Sequence, residues 1–299
     1  MTEKLYIDIF EKESGVKAFF STKHGASQGS PYYNSAALEQ LGLTEKTLAQ
    51  PQQVHEAKIG VIGAEKCLIV DESGSVVEEW GRGEEGPVVE AWIQGTAAVA
   101  ENPDLKDTKN IRFPRTDGVI TNQKDVLLTT VHADCLALWF YDKKHQAVGV
   151  VHAGWKGTLA GIGPKCVKLM QETYGSDPAE ILAYIGPGIS KCCFETGPEV
   201  IEAFRSQWDF ADKYAEAESV IPRWKELAGI PADVDPEKFY IDLKGINTEE
   251  LLMAGLKKEN ISVSSHCTCC EPKTFASYRR EGGTYMRMGA GICLVDEAE

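Results

Sequence analysis

The fold can be read from two linked stretches, Val126-Leu-Leu-Thr-Thr-Val-His-Ala-Asp-Cys135-Leu-Ala-Leu-Trp-Phe-Tyr141 and Val148-Gly-Val-Val-His152-Ala-Gly-Trp-Lys-Gly157. Residues 119–121, 126–131, 136–141 and 148–151 are short apolar or β-branched runs separated by turn residues. They predict adjacent buried strands. Past Gly157, Leu159, Ile162, Cys166, Leu169 and Met170 recur at helical spacing. Pro164 sits inside that pattern, so the helix must start near it or bend there.

Working outward, residues 181–185 and 289–295 predict two further strands, the first ended by Gly186-Pro-Gly188. Upstream, strands are expected at 5–10, 16–20 and 58–62, the last entered through Pro51-Gln-Gln-Val-His55. Ser21 to Pro31 is rich in Gly and Ser and predicts a loop. Helices are expected at 198–204 and 248–258, with Thr248 as N-cap of the second. The segment from about 64 to 110 is acidic, Gly-rich and weakly periodic, and predicts an inserted surface hairpin with loops. No internal repeat recurs at a fixed period. A single catalytic domain over residues 1–299, carrying that acidic segment, is the expected organisation.

Bulk properties narrow the function. The chain has 299 residues and a net charge of −14, which argues against nucleic acid as a partner. No run approaches the roughly 18–20 apolar residues that span a bilayer, and residues 1–7 lack the apolar core of a signal peptide. Nine cysteines, an odd count, argue against a disulfide framework. The expectation is a cytoplasmic enzyme without membrane contact, whose cysteines are core residues, ligands or nucleophiles.

Chemistry concentrates where the apolar strands end. Cys135 and His152 can be delivered by neighbouring strands to one sheet edge. A thiolate and an imidazole suit zinc, and a catalytic zinc takes three protein ligands and keeps a fourth position open. An imidazole third ligand must come from His24, His55, His132 or His266, and spacing does not decide among them. His132 lies three residues before Cys135, which in an extended strand points the two to opposite faces. Cys267-Thr-Cys269-Cys270 competes as a metal site. Four-thiolate sites draw on two cysteine pairs; Cys192-Cys193 offers a second, although adjacent cysteines are awkward for gripping one ion.

Several blocks in one order carry a resemblance: Phe19-Phe-Ser-Thr-Lys23, Gln53-Val-His55, Thr116-Asp-Gly-Val-Ile-Thr121, Ala133-Asp-Cys135, His152-Ala-Gly-Trp-Lys-Gly157, Ile185-Gly-Pro187, Cys267-Thr and Phe275-Ala-Ser-Tyr-Arg-Arg280. Together the chain resembles the laccase-domain family, also called multicopper polyphenol oxidase-like proteins, whose bacterial and vertebrate members are regarded as purine nucleoside phosphorylases. The resemblance implies a metal site of His55, Cys135 and His152, and so selects His55 among the histidines. It also implies an α+β fold, a mixed α/β sandwich of two central sheets with helices outside, four layers in the order α/β/β/α. The implied activity is phosphorolysis of adenosine, inosine, guanosine and 5′-methylthioadenosine, with adenosine deamination besides. Lys23 and Lys156 stand where the family often has arginine, and His132 where threonine is common.

Role by role, zinc is the expected ion and copper the less favoured one. Asp134 is the candidate for proton transfer, or a partner that orients a ligand histidine. Arg279 and Arg280 suit bidentate phosphate binding, with Lys23, His24 and Lys156 completing an anion pocket. A copper-dependent phenol oxidase and a cysteine hydrolase using Cys135 are the rival activities.

Overall fold

The structure is a computed structural model and describes residues 6–25, 35–84, 86, 111–217, 223–230, 237–284 and 286–296. Its strands are β1 (Tyr6–Ile9), β2 (Val16–Ser21), β3 (Thr47–Pro51), β4 (Ile59–Ile62), β5 (Lys66–Val70), β6 (Val76–Gly81), β7 (Ile111–Phe113), β8 (Gly118–Thr121) and β9 (Val126–His132). They continue as β10 (Leu136–Asp142), β11 (Ala147–Ala153), β12 (Leu182–Ile185), β13 (Glu195–Thr196), β14 (Ala215–Ala217), β15 (Phe239–Ile241), β16 (Ile261–Val263) and β17 (Met288–Leu294). The α-helices are α1 (Ser35–Leu41), α2 (Trp155–Leu159), α3 (Ile162–Tyr174), α4 (Pro198–Gln207), α5 (Arg223–Ala228), α6 (Leu243–Met253) and α7 (Tyr278–Glu281).

Two large mixed sheets form the centre. One has six strands in the order β1-β2-β17-β9-β3-β7; the other has eight, β16-β12-β10-β11-β8-β4-β5-β6. Successive side chains of a strand point to opposite faces, and that parity builds the layers. Ala137, Trp139 and Tyr141 of β10, with Val148 and Val150 of β11, meet Phe20, Val126, Leu128, Ala290 and Ile292 of the six-stranded sheet. The alternate residues Leu136, Leu138, Phe140, Val151 and Ala153 turn outward onto Ile162, Cys166 and Met170 of α3. On the far face of the six-stranded sheet, Phe19, Leu127 and Cys293 pack against Leu38 and Leu41 of α1. The result is the expected α/β/β/α sandwich. Among the described residues no helix is long and apolar enough to cross a membrane.

Where the structure departs from the sequence reading, the reasons are local. Strands 119–121, 136–141 and 148–151 are neighbours in the eight-stranded sheet, but β9 belongs to the other sheet, between β17 and β3. Apolar runs report burial and not pairing. The link after β9 is tight, with Asp134 at φ 80°, and it carries the chain from one sheet to the other. The helix expected at 248–258 begins at Leu243 and ends at Met253, because Asp242 accepts from the Gly245 N–H at 3.0 Å and caps it. Thr248 lies inside it and donates to the Lys244 carbonyl at 2.8 Å. Pro164 is accommodated in the first turn of α3, where its missing N–H has no intrahelical acceptor to lose. In the acidic segment β5 and β6 do form a hairpin at the edge of the eight-stranded sheet; residues 87–110 lie outside the described residues.

Candidate metal centre

The site sits where the layer between the sheets runs out. Cys135 immediately precedes β10 and shares the parity of Ala137 and Trp139, which face the other sheet. His152 pairs with Ala137 in register and has the parity of Val148 and Val150. His55 comes from the loop after β3. The donor atoms of His55, Cys135 and His152 all lie within 4.8 Å of one another. The rings of His55 and His152 stand edge to face, 4.9 Å between centroids.

One residue organises this loop, and the sequence reading gave it no role. Asp117 is fully buried at the entrance to β8. Its carboxylate accepts the backbone N–H groups of Val54 (3.2 Å), His55 (2.9 Å) and Glu56 (2.8 Å). It also accepts Nδ1–H of His152 at 3.0 Å. A carboxylate can only accept, so Nδ1 carries the proton and Nε2 keeps its lone pair for the site. The same loop holds Gln53 at φ 61° and His55 at φ 64°. Gln53 exchanges two hydrogen bonds of 2.7 Å with the backbone of Val131, docking the loop on β9. Non-glycine residues rarely take positive φ unless the surroundings dictate it; here Asp117 and Gln53 do. The signal available in the sequence was Thr116-Asp-Gly, an acid at the start of an apolar strand.

Electrostatics follow from the geometry. Burial pushes the Cys135 thiol up, but His152 and His55 beside it overcome burial and hold it at about 6. Burial pulls His152 down, and Cys135 and Asp117 more than offset that, raising it to about 9. Both shifts favour negative charge on the sulfur beside the imidazole, and a cation bound there would replace any proton on His152 Nε2. Space is kept by Gly154: a Cβ there would come within 3.1 Å of Cys135 Sγ and 3.2 Å of His55 Cδ2. The donor set, one thiolate and two imidazoles around a small gap, fits zinc.

His132 borders the site but is not part of it. It ends β9, facing the inter-sheet layer, with its ring centroid 5.5 Å from that of His152. Its Nδ1–H donates to the Cys135 carbonyl at 3.1 Å, and its Nε2 accepts from Thr130 Oγ1 at 2.8 Å. Burial and the charge on His152 keep the ring well below the ordinary histidine range. It is a neutral brace for the Cys135 peptide.

Two candidate residues have their polar groups engaged elsewhere. Asp134 is held by hydroxyl and backbone donors of the C-terminal segment. Its oxygens accept from Thr268 Oγ1 (2.6 Å), Ser277 Oγ (3.0 Å) and the Arg279 N–H (2.7 Å), so it ties the C-terminal segment down. Arg280 does not offer a free fork to phosphate. Its guanidinium donates to the carbonyls of Thr268, Cys269 and Phe275 at 2.7–2.9 Å and to Glu281. The remaining cations differ. Arg279 donates to the Cys193 carbonyl at 3.2 Å and lies over the rings of Phe194 and Trp224. Lys23 donates to the Pro272 carbonyl at 2.6 Å and His24 to that of Lys273 at 2.8 Å. Lys156 is exposed at the start of α2, two residues past Gly154, its ammonium 5.7 Å from the Trp155 ring centre.

Known proteins share this framework. A purine nucleoside phosphorylase YlmD from Bacillus subtilis is 40% identical over 173 residues, 58% of this chain and 56% of that protein. The chain thus spans little more than half the length of that relative. An adenosine deaminase RL5 from an unknown prokaryotic organism is 28% identical over 312 residues, covering 98% of this chain and 99% of its own. The crystal structure of YlmD from Geobacillus stearothermophilus superposes with a TM-score of 0.66 at 26% identity, covering 97% of this chain and 100% of that one. The profile of the family described as multi-copper polyphenol oxidoreductase laccase matches residues 32–295. The chain belongs to that family.

Proposed function

We propose that the protein is a metal-dependent purine nucleoside phosphorylase that also deaminates adenosine. The observation that carries this reading is the convergence of His55, Cys135 and His152 within 4.8 Å, with Asp117 bound to both histidine-bearing segments. Relatives named as a purine nucleoside phosphorylase and an adenosine deaminase support nucleosides as the substrate class. Zinc is the ion favoured by the mixed nitrogen and sulfur donors. Held by these three side chains, it would supply a Lewis acid with an open position.

The chain's own groups have the following parts. Asp117 keeps His152 in the tautomer that presents Nε2. His132 fixes the carbonyl of Cys135. Gly154 leaves room for the reacting group above the sulfur. Lys156, exposed two residues beyond, is the cation we assign to phosphate. Lys23, His24 and Arg279 are supporting cations, each already holding a backbone carbonyl. In phosphorolysis the bond from the sugar's anomeric carbon to the base nitrogen breaks, a phosphate oxygen bonds to that carbon, and the base leaves with a proton. In deamination water replaces the exocyclic amine as ammonia leaves.

One observation favours a second reading. Cys135 Sγ and a His152 ring nitrogen lie within 4.8 Å of each other, and a thiol held at about 6 beside an imidazole is the pairing a cysteine hydrolase uses. A multicopper oxidase is disfavoured by the histidines. Of six in the chain, His24, His132, His145 and His266 are bound to Lys273, Thr130, Asp142 and Glu271 respectively.

The test is to incubate the protein with adenosine, with and without phosphate, and to identify adenine, inosine and ribose 1-phosphate. Phosphate-dependent adenine supports the proposal; consumption of no nucleoside refutes it. Cys135→Ala and His152→Ala should each abolish turnover with the circular dichroism spectrum unchanged. A chelator should inactivate the enzyme reversibly, whereas a cysteine hydrolase would survive it.

A further inference from the structure

On the other side of the C-terminal loop lies a second cluster of donors. The turn at Lys191–Cys193 and the turn Cys267–Cys270 bring four sulfurs together. Cys192 Sγ lies 3.8 Å from Cys193 Sγ, 3.8 Å from Cys267 Sγ and 3.6 Å from Cys270 Sγ; Cys193 and Cys270 are 3.4 Å apart. All four lie within 4.8 Å of one another. A tetrahedron with zinc–sulfur bonds of 2.3 Å has sulfur–sulfur edges of about 3.8 Å. Adjacent cysteines looked ill suited to one ion, yet the turn closed by Cys193 N–H on the Ser190 carbonyl aims both sulfurs the same way.

We propose that Cys192, Cys193, Cys267 and Cys270 form a second metal site, a structural zinc held by four thiolates. The surroundings are built for negative charge. Ser190 N–H points at Cys267 Sγ at 3.4 Å. The buried ammonium of Lys244 lies beside the cluster and donates to Ser190 Oγ (3.1 Å) and the carbonyls of Ser264 (2.9 Å) and His266 (2.6 Å), all neutral acceptors. A zinc tetrathiolate carries two negative charges, which would join Asp242 and Glu271 in offsetting the burial of that ammonium. Arg279, bound to the Cys193 carbonyl, adds a second cation. Cys192 is exposed, so the site can be loaded in the folded chain.

The site would staple the segment after β12 to the C-terminal loop. Thr268, between two of the cluster's residues, donates to Asp134, and the Ile189 N–H donates to the Asp134 carbonyl at 2.8 Å. Asp134 directly precedes Cys135, so the staple anchors the peptide that carries the candidate catalytic thiolate. The proposal stands apart from the nucleoside reading, since none of its ligands belongs to the first centre.

The experiment counts zinc in the full chain. A Cys135→Ser/His152→Ala double variant, with all four cluster cysteines intact, should retain one equivalent of zinc by plasma mass spectrometry after gel filtration. Cobalt loaded into the same variant should show the sulfur-to-cobalt charge-transfer bands of a tetrathiolate. Adding Cys192→Ser or Cys270→Ser should remove that equivalent and lower Tm. If those variants fail to fold, the count and the cobalt spectrum in the double variant still decide. A metal-free double variant after zinc loading, iron in place of zinc, or a disulfide among the four cysteines would each overturn the proposal.

Discussion

At the scale of single residues, Asp117 does more for the candidate centre than any ligand. It accepts three consecutive backbone N–H groups around His55 and the Nδ1–H of His152. An Asp117→Asn change keeps the size but turns half of the carboxylate into a donor facing N–H groups. It should weaken metal binding by about 10–100-fold, measured by competition with a chromophoric chelator; unchanged affinity would mean the loop holds itself. Arg280 makes the opposite case. Its guanidinium satisfies three carbonyls and Glu281. Arg280→Ala should therefore cost on the order of 3 kcal/mol of stability and leave the phosphate KM within twofold. A selective rise in that KM with stability intact would restore Arg280 to the anion pocket. Cys135 and His152 could be named from the strand ends of the chain alone, and His55 only by resemblance. Asp117 could not: an acid at the start of an apolar strand is visible, but nothing local tells that it will serve a loop 61–63 residues upstream.

At the scale of elements, α6 carries an unusual group. Glu250 is buried, and its carboxyl oxygens have no hydrogen-bond partner among the described residues. Burial alone pushes its carboxyl up to about 9. An unfolded glutamate titrates near 4.3. Between those values the folded chain holds a proton that the unfolded chain has released, so stability falls as pH rises from about 4.3 to 9 and then levels. Glu250→Gln should flatten that slope and, at pH 8, stabilise the protein by on the order of a few kcal/mol. Urea titrations at pH 5 and pH 8 check it; an equal gain at both would sink the explanation. The start of α6 was misread for a related reason. Thr248 looks like a cap, but Asp242 captures the Gly245 N–H first, and a cap is decided by which side chain reaches an unpaired donor.

At the scale of the whole molecule, the centre depends on the two sheets holding their separation. Trp139 is fully buried between them and donates to the Gly291 carbonyl at 3.1 Å. The fit is close: a Cβ on Gly186 would meet the Trp139 ring at 2.4 Å. Trp139→Ala should cost about 3–5 kcal/mol. It should also weaken metal binding, because β9, with its neutral brace His132, and β10, led by Cys135, approach the centre from different sheets. Urea unfolding with metal titration tests both; lost stability with metal affinity unchanged would show that the centre is rigid without the inter-sheet core.

From its own residues the chain determined that the central segments are strands, that they are buried, and that chemistry lies at the strand ends near Cys135 and His152; the short strands β3, β7 and β13 to β16 carry too little pattern to be read that way. Those are local properties, set by side-chain alternation and by the cost of leaving polar groups among apolar ones. Only the tertiary structure decided that β9 leaves the sheet of its sequence neighbours, that Asp117 governs both histidine segments, and that two distant cysteine turns meet. Each of these depends on contacts between residues far apart in the chain, and such contacts are selected by the packing of complete layers, which no local pattern encodes.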